Sequence, residues 1–460
     1  MAYQSTNPYN GTVEKNFAEF SPAQLEEKLQ RADTCFKTDW RERSFAARAV
    51  VIKSAAALMR ERAQPLAELI TREMGKLIAQ SLGEVALSAA ILDYYADHAE
   101  QFLAPEKLTT AKGEALVESS PIGVLFGVEP WNYPYYQIAR FAAPNLMAGN
   151  VVMVKHASIV PQCALAFEQL LHEAGAPEGA YTNLFISKAQ VAQVIEDPRI
   201  RAVALTGSEA AGALVAAQAG KQLKKTTLEL GGSDAFIVLE DADLDKAVKH
   251  AVRGRMGNAG QACTASKRFI VVDALADRFL EKFQAALGQF VPGDPLNAAT
   301  TLAPLSSAPA LDTLLKQVKV AIDHGARLVM GGKRTEGQQG LFMQPTILTE
   351  ISTTNPAYKE EFFGPVALFF RVADEDAAVA LANDSPFGLG GSVFTQDIER
   401  GKRVARKIDT GMVYINSDLV TSPELPFGGV KNSGYGRELS AAGIQEFVNK
   451  KLIRVNWTAN

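Results

Sequence analysis

The chain has 460 residues, 47% hydrophobic and 21% charged, with a formal net charge of −4. That size and balance point to two or three domains with ample core and exclude a disordered or collagen-like chain. The mild acidity, with no long basic run, argues against nucleic acid or an anionic membrane as the main partner and for a small-molecule substrate.

The opening residues M-A-Y-Q-S-T-N-P-Y-N lack the charged and apolar regions of a secretory leader, and no run of about 18 uncharged apolar residues follows. Ser21-Pro22-Ala23-Gln24 reads as a helix start: a capping serine, proline at the first helical position and glutamine at the third. Ala46, Ala49, Val50 and then Ala56, Leu58, Met59 keep helical spacing. The pattern continues from Pro65 to Leu103, with interruptions predicted near Gly75 and Gly83. These helices are expected to cover a sheet.

From about Gly113 the texture changes to short strands, 115–120 and then 121–128. Apolar strands at 151–154, 182–186, 202–205 and 226–230 alternate with helical patterns at 162–173, 189–196 and 209–219. Such alternation predicts a mostly parallel sheet covered on both faces, which binds nucleotides at the carboxyl ends of its strands. A second α/β pattern runs from about Asp234 to Pro423, with strands at 236–238, 269–272, 367–370 and 412–415. The boundary is placed at Gly231-Gly232. Lys451 to Trp457 alternates and is predicted to add an edge strand to a neighbour.

The chemistry-bearing stretches come in the same order. Pro130-Trp-Asn-Tyr-Pro134 is a rigid aromatic turn, and Asn132 is either an oxyanion donor or a common turn asparagine. Lys155 ends a strand, where it reaches ribose or phosphate oxygens or simply stays solvated. Thr206-Gly207-Ser208-Glu209-Ala-Ala-Gly212 opens a helix, as a phosphate cradle or an ordinary tight turn. Glu229 lies between two leucines in an apolar strand. Desolvation there would raise its pKa toward that of a general base, the alternatives being a buried ion pair or an outward-facing edge.

Cys263 stands in the glycine-rich stretch Gly254 to Val271, where Gly257, Ala259, Gly260 and Ala262 clear space for a nucleophile or simply surround a small buried hydrophobe. The other two cysteines, Cys35 and Cys163, form no C-x-x-C pair with it, which fits a reducing compartment and a cytoplasmic protein. Five scattered histidines have no metal-ligand spacing, so no metal is expected. Glu361 in K-E-E-F-F-G-P-V and Phe427 in L-P-F-G-G-V-K-N-S-G-Y-G-R-E complete the set. These are a loop closing over a ligand, or a surface acid and a packed hairpin.

Seven of these motifs, in this order over nearly the whole chain, resemble the aldehyde dehydrogenase superfamily, and in detail its succinate-semialdehyde dehydrogenase branch. They are P-W-N-Y-P, V-K-H-A-S, L-T-G-S-E-A-A-G, L-E-L-G-G-S-D, G-Q-A-C, E-E-F-F-G-P-V and P-F-G-G-V-K-N-S-G-Y-G-R-E. The resemblance implies an α/β fold with a Rossmann-type cofactor domain (1–110 and 122–231), an α/β catalytic domain (232–440) and a β-strand oligomerisation arm (111–121 and 441–460). It implies a homodimer or homotetramer. It also implies Cys263 as nucleophile with a lowered thiol pKa, Glu229 as general base, and Asn132 with the Cys263 backbone N–H as the oxyanion hole. Trp131, Lys155, Ser158, Gly207, Ser208, Gly212 and Glu361 would hold the dinucleotide.

In that chemistry the thiolate attacks the aldehyde, hydride leaves for the nicotinamide, and Glu229 activates the water that releases the acid from the thioester. Related NAD enzymes often carry glutamate three residues after the strand-end lysine; this chain has Ser158. With no carboxylate to repel a 2′-phosphate, NADP is expected to be preferred and NAD usable. Some relatives carry arginine six residues before the nucleophile, where this chain has Gly257. Recognition of a distal carboxylate is then expected from Arg140, unless it makes an ion pair within the cofactor domain, with Ser422 and Phe427 as further substrate contacts. Competing readings are a dehydrogenase of another short or medium aldehyde, a cofactor-independent cysteine esterase or thioesterase, and a non-catalytic binding protein.

Overall fold

The computed structural model describes residues 3–111 and 113–456. Tyr3–Thr6 and Val13–Phe17 pair as an antiparallel hairpin that the sequence pattern did not suggest. The Ser21 cap forms as predicted. Its hydroxyl accepts the Gln24 N–H at 3.3 Å, and Gln24 Oε1 accepts the Ser21 N–H at 2.9 Å. Four long helices follow, Pro22–Thr38, Phe45–Glu61, Ala63–Met74 and Ile78–Phe102. Gly75, with φ 83°, ends the third of these as expected. Gly83 does not interrupt the fourth. A mid-helix glycine costs about 1 kcal/mol, which burial of Val85, Ala89, Leu92 and Tyr95 along this helix outweighs.

Two sheets organise the chain. The first has strand order Gly434–Tyr435, Lys225–Glu229, Ile200–Thr206, Val124–Glu129, Val151–His156, Tyr181–Asn183. It is parallel except for the first, which comes from the C-terminal region and pairs Gly434 with Glu229 antiparallel. The second has order Arg327–Met330, Thr346–Thr349, Val366–Val372, Ser266–Val272, Asp234–Val238, Gly391–Phe394, Tyr414–Ile415, parallel but for the outermost Arg327–Met330. Gly231 and Gly232 fall between Lys225–Glu229 of the first sheet and Asp234–Val238 of the second.

A third sheet places Glu114–Pro121 between Glu106–Leu108 and Val448–Val455. The last of these is an edge strand with Leu452, Ile453 and Val455 exposed. Trp457, which ended the predicted strand, lies outside the described residues. Among those residues no helix is long and apolar enough to cross a membrane.

Candidate active site

The helix Leu244–Met256 ends before Gly257, and Asn258, Ala259 and Gly260 then take left-handed backbone at φ 52°, 51° and 77°. That conformation costs a residue with a Cβ roughly 1–2 kcal/mol, so neighbours must hold it. Gln80 Oε1 accepts the Asn258 N–H at 3.1 Å, and Gln261 Nε2 donates to Asn258 O at 3.1 Å. A Cβ on Gly260 would lie 2.3 Å from Gly364 O, so the cysteine loop and the E-E-F-F-G-P-V loop can touch only over glycine.

This turn delivers Cys263 to the meeting point of two cavities. The inner one, about 280 Å³, is lined by Trp131, Asn132, Thr206, Gly207, Ser208, Glu229, Gly231, Glu361 and Phe363. The outer one, about 360 Å³, is lined by Tyr133, Tyr136, Arg253, Gly257, Asp418, Thr421 and Phe427. Cys263 and Gln137 line both. Gln137 was not anticipated; its Oε1 is buried without a hydrogen-bond partner.

Burial pushes the Cys263 thiol up to about 12, although Arg140 and Lys267 pull it down. The lowered thiol pKa expected from sequence is therefore corrected. Glu229 lines the inner cavity with Cys263; this carboxylate is 3% exposed, and neither of its oxygens has a hydrogen-bond partner among the described residues. Burial first, then nearby Glu438, holds its carboxyl well above the usual range, against Arg140. A Cβ on Gly428, φ 150°, would lie 2.7 Å from Glu229 Oε1, so the P-F-G-G glycine makes room for this carboxylate.

Asn132 is buried, and its Nδ2 donates to Gln261 O at 3.1 Å. An amide nitrogen carries two hydrogens, so one is fixed by the cysteine loop and one is left for an oxyanion. Lys267, unanticipated, is fully buried behind that loop. It donates to Ala262 O (2.9 Å) and Cys263 O (2.7 Å) and pairs with Glu361 Oε1 at 3.0 Å. Glu361 also accepts the Gly232 N–H at 3.1 Å. A Cβ on Gly231 would sit 2.3 Å from its Oε2, so both glycines shape the seat of this carboxylate.

The phosphate cradle is narrower than the sequence implied. The Gly207 N–H is taken by Glu229 O at 2.9 Å. Gly212 lies away from the cavity: a Cβ there would meet Leu230 Cδ2 at 2.7 Å, so this glycine serves helix-to-strand packing. At the positive end of the helix Glu209–Lys221 the Ser208 hydroxyl takes the Ala211 N–H at 3.4 Å, which leaves the amides of Glu209 and Ala210. Lys155 and Ser158 lie outside the inner cavity. Burial and then neighbouring Lys188, another residue the sequence did not single out, lower the Lys155 pKa. Ser158 faces a separate groove of about 740 Å³ beside the N-terminal hairpin.

Two expected substrate contacts are corrected. Arg140 is 1% exposed and lies outside the outer cavity; its guanidinium pairs with Glu438 and donates to Tyr136 Oη and Thr206 Oγ1, each at 3.1 Å. The ion-pair alternative holds because the fork is consumed inside the protein. Ser422 bonds to Glu424, while its neighbour Thr421 lines the outer cavity and bonds to Tyr136. Phe427 does line that cavity, its ring centroid 4.5 Å from the Arg140 guanidinium carbon. The one cation on the outer wall is Arg253, which donates from Nε to both Asp418 oxygens at 2.9 Å.

A thiol between two cavities, with a buried unpaired carboxylate and a fixed amide donor, is the equipment of covalent aldehyde oxidation, and the chain belongs to the aldehyde dehydrogenase family, which it matches over residues 1–453. Among curated relatives it is 53% identical to the NADP(+) succinate-semialdehyde dehydrogenase of Deinococcus radiodurans, over 98% of this chain and 94% of that protein. It is 44% identical to succinate-semialdehyde dehydrogenase [NADP(+)] 1 of Mycobacterium tuberculosis, over 98% and 99%. A solved succinic semialdehyde dehydrogenase from Streptococcus pyogenes, in complex with NADP+, superimposes with a TM-score of 0.97 at 49% identity, over 99% of this chain and 100% of that one.

Proposed function

We propose that this protein oxidises succinate semialdehyde to succinate, with NADP as the preferred acceptor and NAD as a usable one. The observation that carries the reading is the position of Cys263, open to one cavity suited to the nicotinamide end of a dinucleotide and to another that holds a single cation. The relatives named above act on this substrate, which supports the same choice here.

The inner cavity, about 280 Å³, suits the nicotinamide end of a dinucleotide. A Cβ on Gly207 would have only Leu205 within 4 Å, at 3.5 Å, leaving open space for a close approach. The helix N-terminus at Ser208 suits the pyrophosphate, and Trp131, Glu361 and Phe363 line the remainder. Lys155 and Ser158 take the adenosine end in this reading, and the neutral hydroxyl of Ser158 supports a 2′-phosphate there. The bound dinucleotide supplies the hydride acceptor.

Glu229 draws the proton from the Cys263 thiol, directly or through water, and sulfur attacks the aldehyde carbon. The free Asn132 N–H, with the Cys263 backbone N–H, stabilises the oxyanion. Loss of hydride leaves a thioester on Cys263. Glu229, once it has passed the first proton to solvent, deprotonates the water that attacks the acyl carbon, and the acid leaves as the sulfur is released from the thioester. Arg253 at the outer cavity, paired to Asp418 through Nε and Nη2, holds the distal carboxylate through Nη1. We assign residues 1–110 and 122–231, with Gly434–Tyr435, to the cofactor domain and most of 232–440 to the catalytic domain. The exposed apolar edge of Val448–Val455 supports a homodimer or homotetramer, and three unpaired cysteines support a cytoplasmic site.

The test is NADPH or NADH formation by purified protein given succinate semialdehyde. Turnover with NADP exceeding that with NAD is expected. Oxidation of butanal but not of succinate semialdehyde would overturn the substrate assignment.

A further inference from the structure

Lys76 lies in the link between the helices Ala63–Met74 and Ile78–Phe102, and Glu84 lies in the second turn of the latter. Their side chains form an ion pair with no exposure on either partner. Removing two charges from water is costly, and mutual attraction offsets it only when the remaining donors and acceptors are also filled.

Here all of them go to one segment. Lys76 Nζ donates to Asn132 O at 2.8 Å and sits 3.5 Å from the centroid of the Tyr133 ring. Glu84 Oε1 accepts the N–H groups of Tyr135 (2.9 Å) and Tyr136 (3.3 Å), first-turn amides of the helix Pro134–Ala148 that have no partner within it. The pair therefore grips the chain from Asn132 itself to the first turn of the helix that follows it. From the other direction Asn258 Nδ2 donates to Asn132 O (2.9 Å) and Gln261 O (3.2 Å), tying the turn to the cysteine loop. An oxyanion donor works only if it is fixed before charge develops, and a carbonyl held by two buried donors fixes the backbone from which the Asn132 amide projects.

We propose that Lys76 and Glu84 are positioning residues that hold Asn132 in place as the oxyanion donor. The inference rests on the reading of Asn132 given above and adds the device that orients it. An apolar pair of the same volume would fill the same space but would leave Asn132 O and the two helix amides with fewer partners.

The experiment is a double-mutant cycle of Lys76→Met with Asn132→Ala, read by NADPH formation from succinate semialdehyde and, without cofactor, by hydrolysis of 4-nitrophenyl acetate at Cys263. Removing an oxyanion donor lowers kcat by about 10²–10³-fold, so displacing one is expected to lower it by about 10- to 100-fold. The affinity for NADP, followed by quenching of protein fluorescence, should hold. In the Asn132→Ala background Lys76→Met should cost less than about twofold, because effects that act through one group do not add. Additive losses, or an unchanged kcat in Lys76→Met, overturn the proposal. Glu84→Gln is carried through the same cycle and decides the matter if Lys76→Met does not fold. A wild-type protein that oxidises no aldehyde sinks the functional reading, while the ester cycle still tests the pair.

Discussion

The two cavities that meet at Cys263 are built from different kinds of sequence. Nearly every inner wall residue belongs to a short motif: Trp131 and Asn132 to P-W-N-Y-P, Thr206 to Ser208 to the strand-helix turn, Glu229 to Gly231 to L-E-L-G-G, Glu361 and Phe363 to E-E-F-F-G-P-V. The outer wall mixes motif residues, among them Tyr133, Gly257 and Phe427, with scattered positions such as Leu87, Arg253, Asp418 and Thr421, none of which stands out in the chain. In the proposed mechanism the inner cavity carries bond-making, and the outer one selects the substrate's far end through Arg253. The groups proposed for the chemistry thus lie in contiguous motifs, while the cation proposed for selection is a tertiary neighbour.

The division can be broken most severely at the inner wall. Cys263→Ala is expected to lower turnover by about 10⁴-fold or more with every aldehyde, since the covalent route is lost. Residual oxidation of one aldehyde near wild-type rate would remove the thiol from the mechanism. Glu229→Gln should lose about 10²- to 10⁴-fold in steady-state rate. If another group deprotonates the thiol in that variant, rapid mixing should still show one burst of NADPH as the thioester accumulates.

At the outer wall the effect should be smaller and selective. Arg253→Met is expected to raise KM for succinate semialdehyde by about tenfold or more, the loss of a charged hydrogen bond, while butanal oxidation holds. Equal losses with both aldehydes would erase the distinction between the walls. Arg140→Met should instead impair both substrates, because its charge and that of its partner Glu438 both act on Glu229, and its other partner Thr206 pairs with Glu229 across the sheet.

The mildest test is pH. The Cys263 thiol at about 12 and the raised Glu229 carboxyl are both shifted upward by burial, so each holds its proton more tightly near neutrality. The reactive forms are the deprotonated ones, and they become more populated as pH rises. The profile of kcat/KM should therefore climb between about pH 7 and 9. A profile that falls over this range would contradict the assignment of Glu229 as base.

The sequence by itself determined the alternation of strands and helices, the Ser21 cap, the stop at Gly75 and the candidates proposed as reacting groups. These depend on local periodicity or on contiguous residues whose backbone must turn sharply around Cys263 and Glu229. What only the tertiary structure decided lies in burial and long-range pairing. Glu438, nearly three hundred positions from Arg140, takes the guanidinium that sequence offered to the substrate. Leu230 turns Gly212 from a cofactor contact into a packing residue. Thr421 rather than Ser422 faces the cavity because one residue's shift in an irregular segment rotates the side chain away. Desolvation raises the Cys263 thiol that the family resemblance implied would be lowered. Each of these depends on which distant atoms exclude water or fill a hydrogen bond, and that is fixed only when the two sheets close around the thiol.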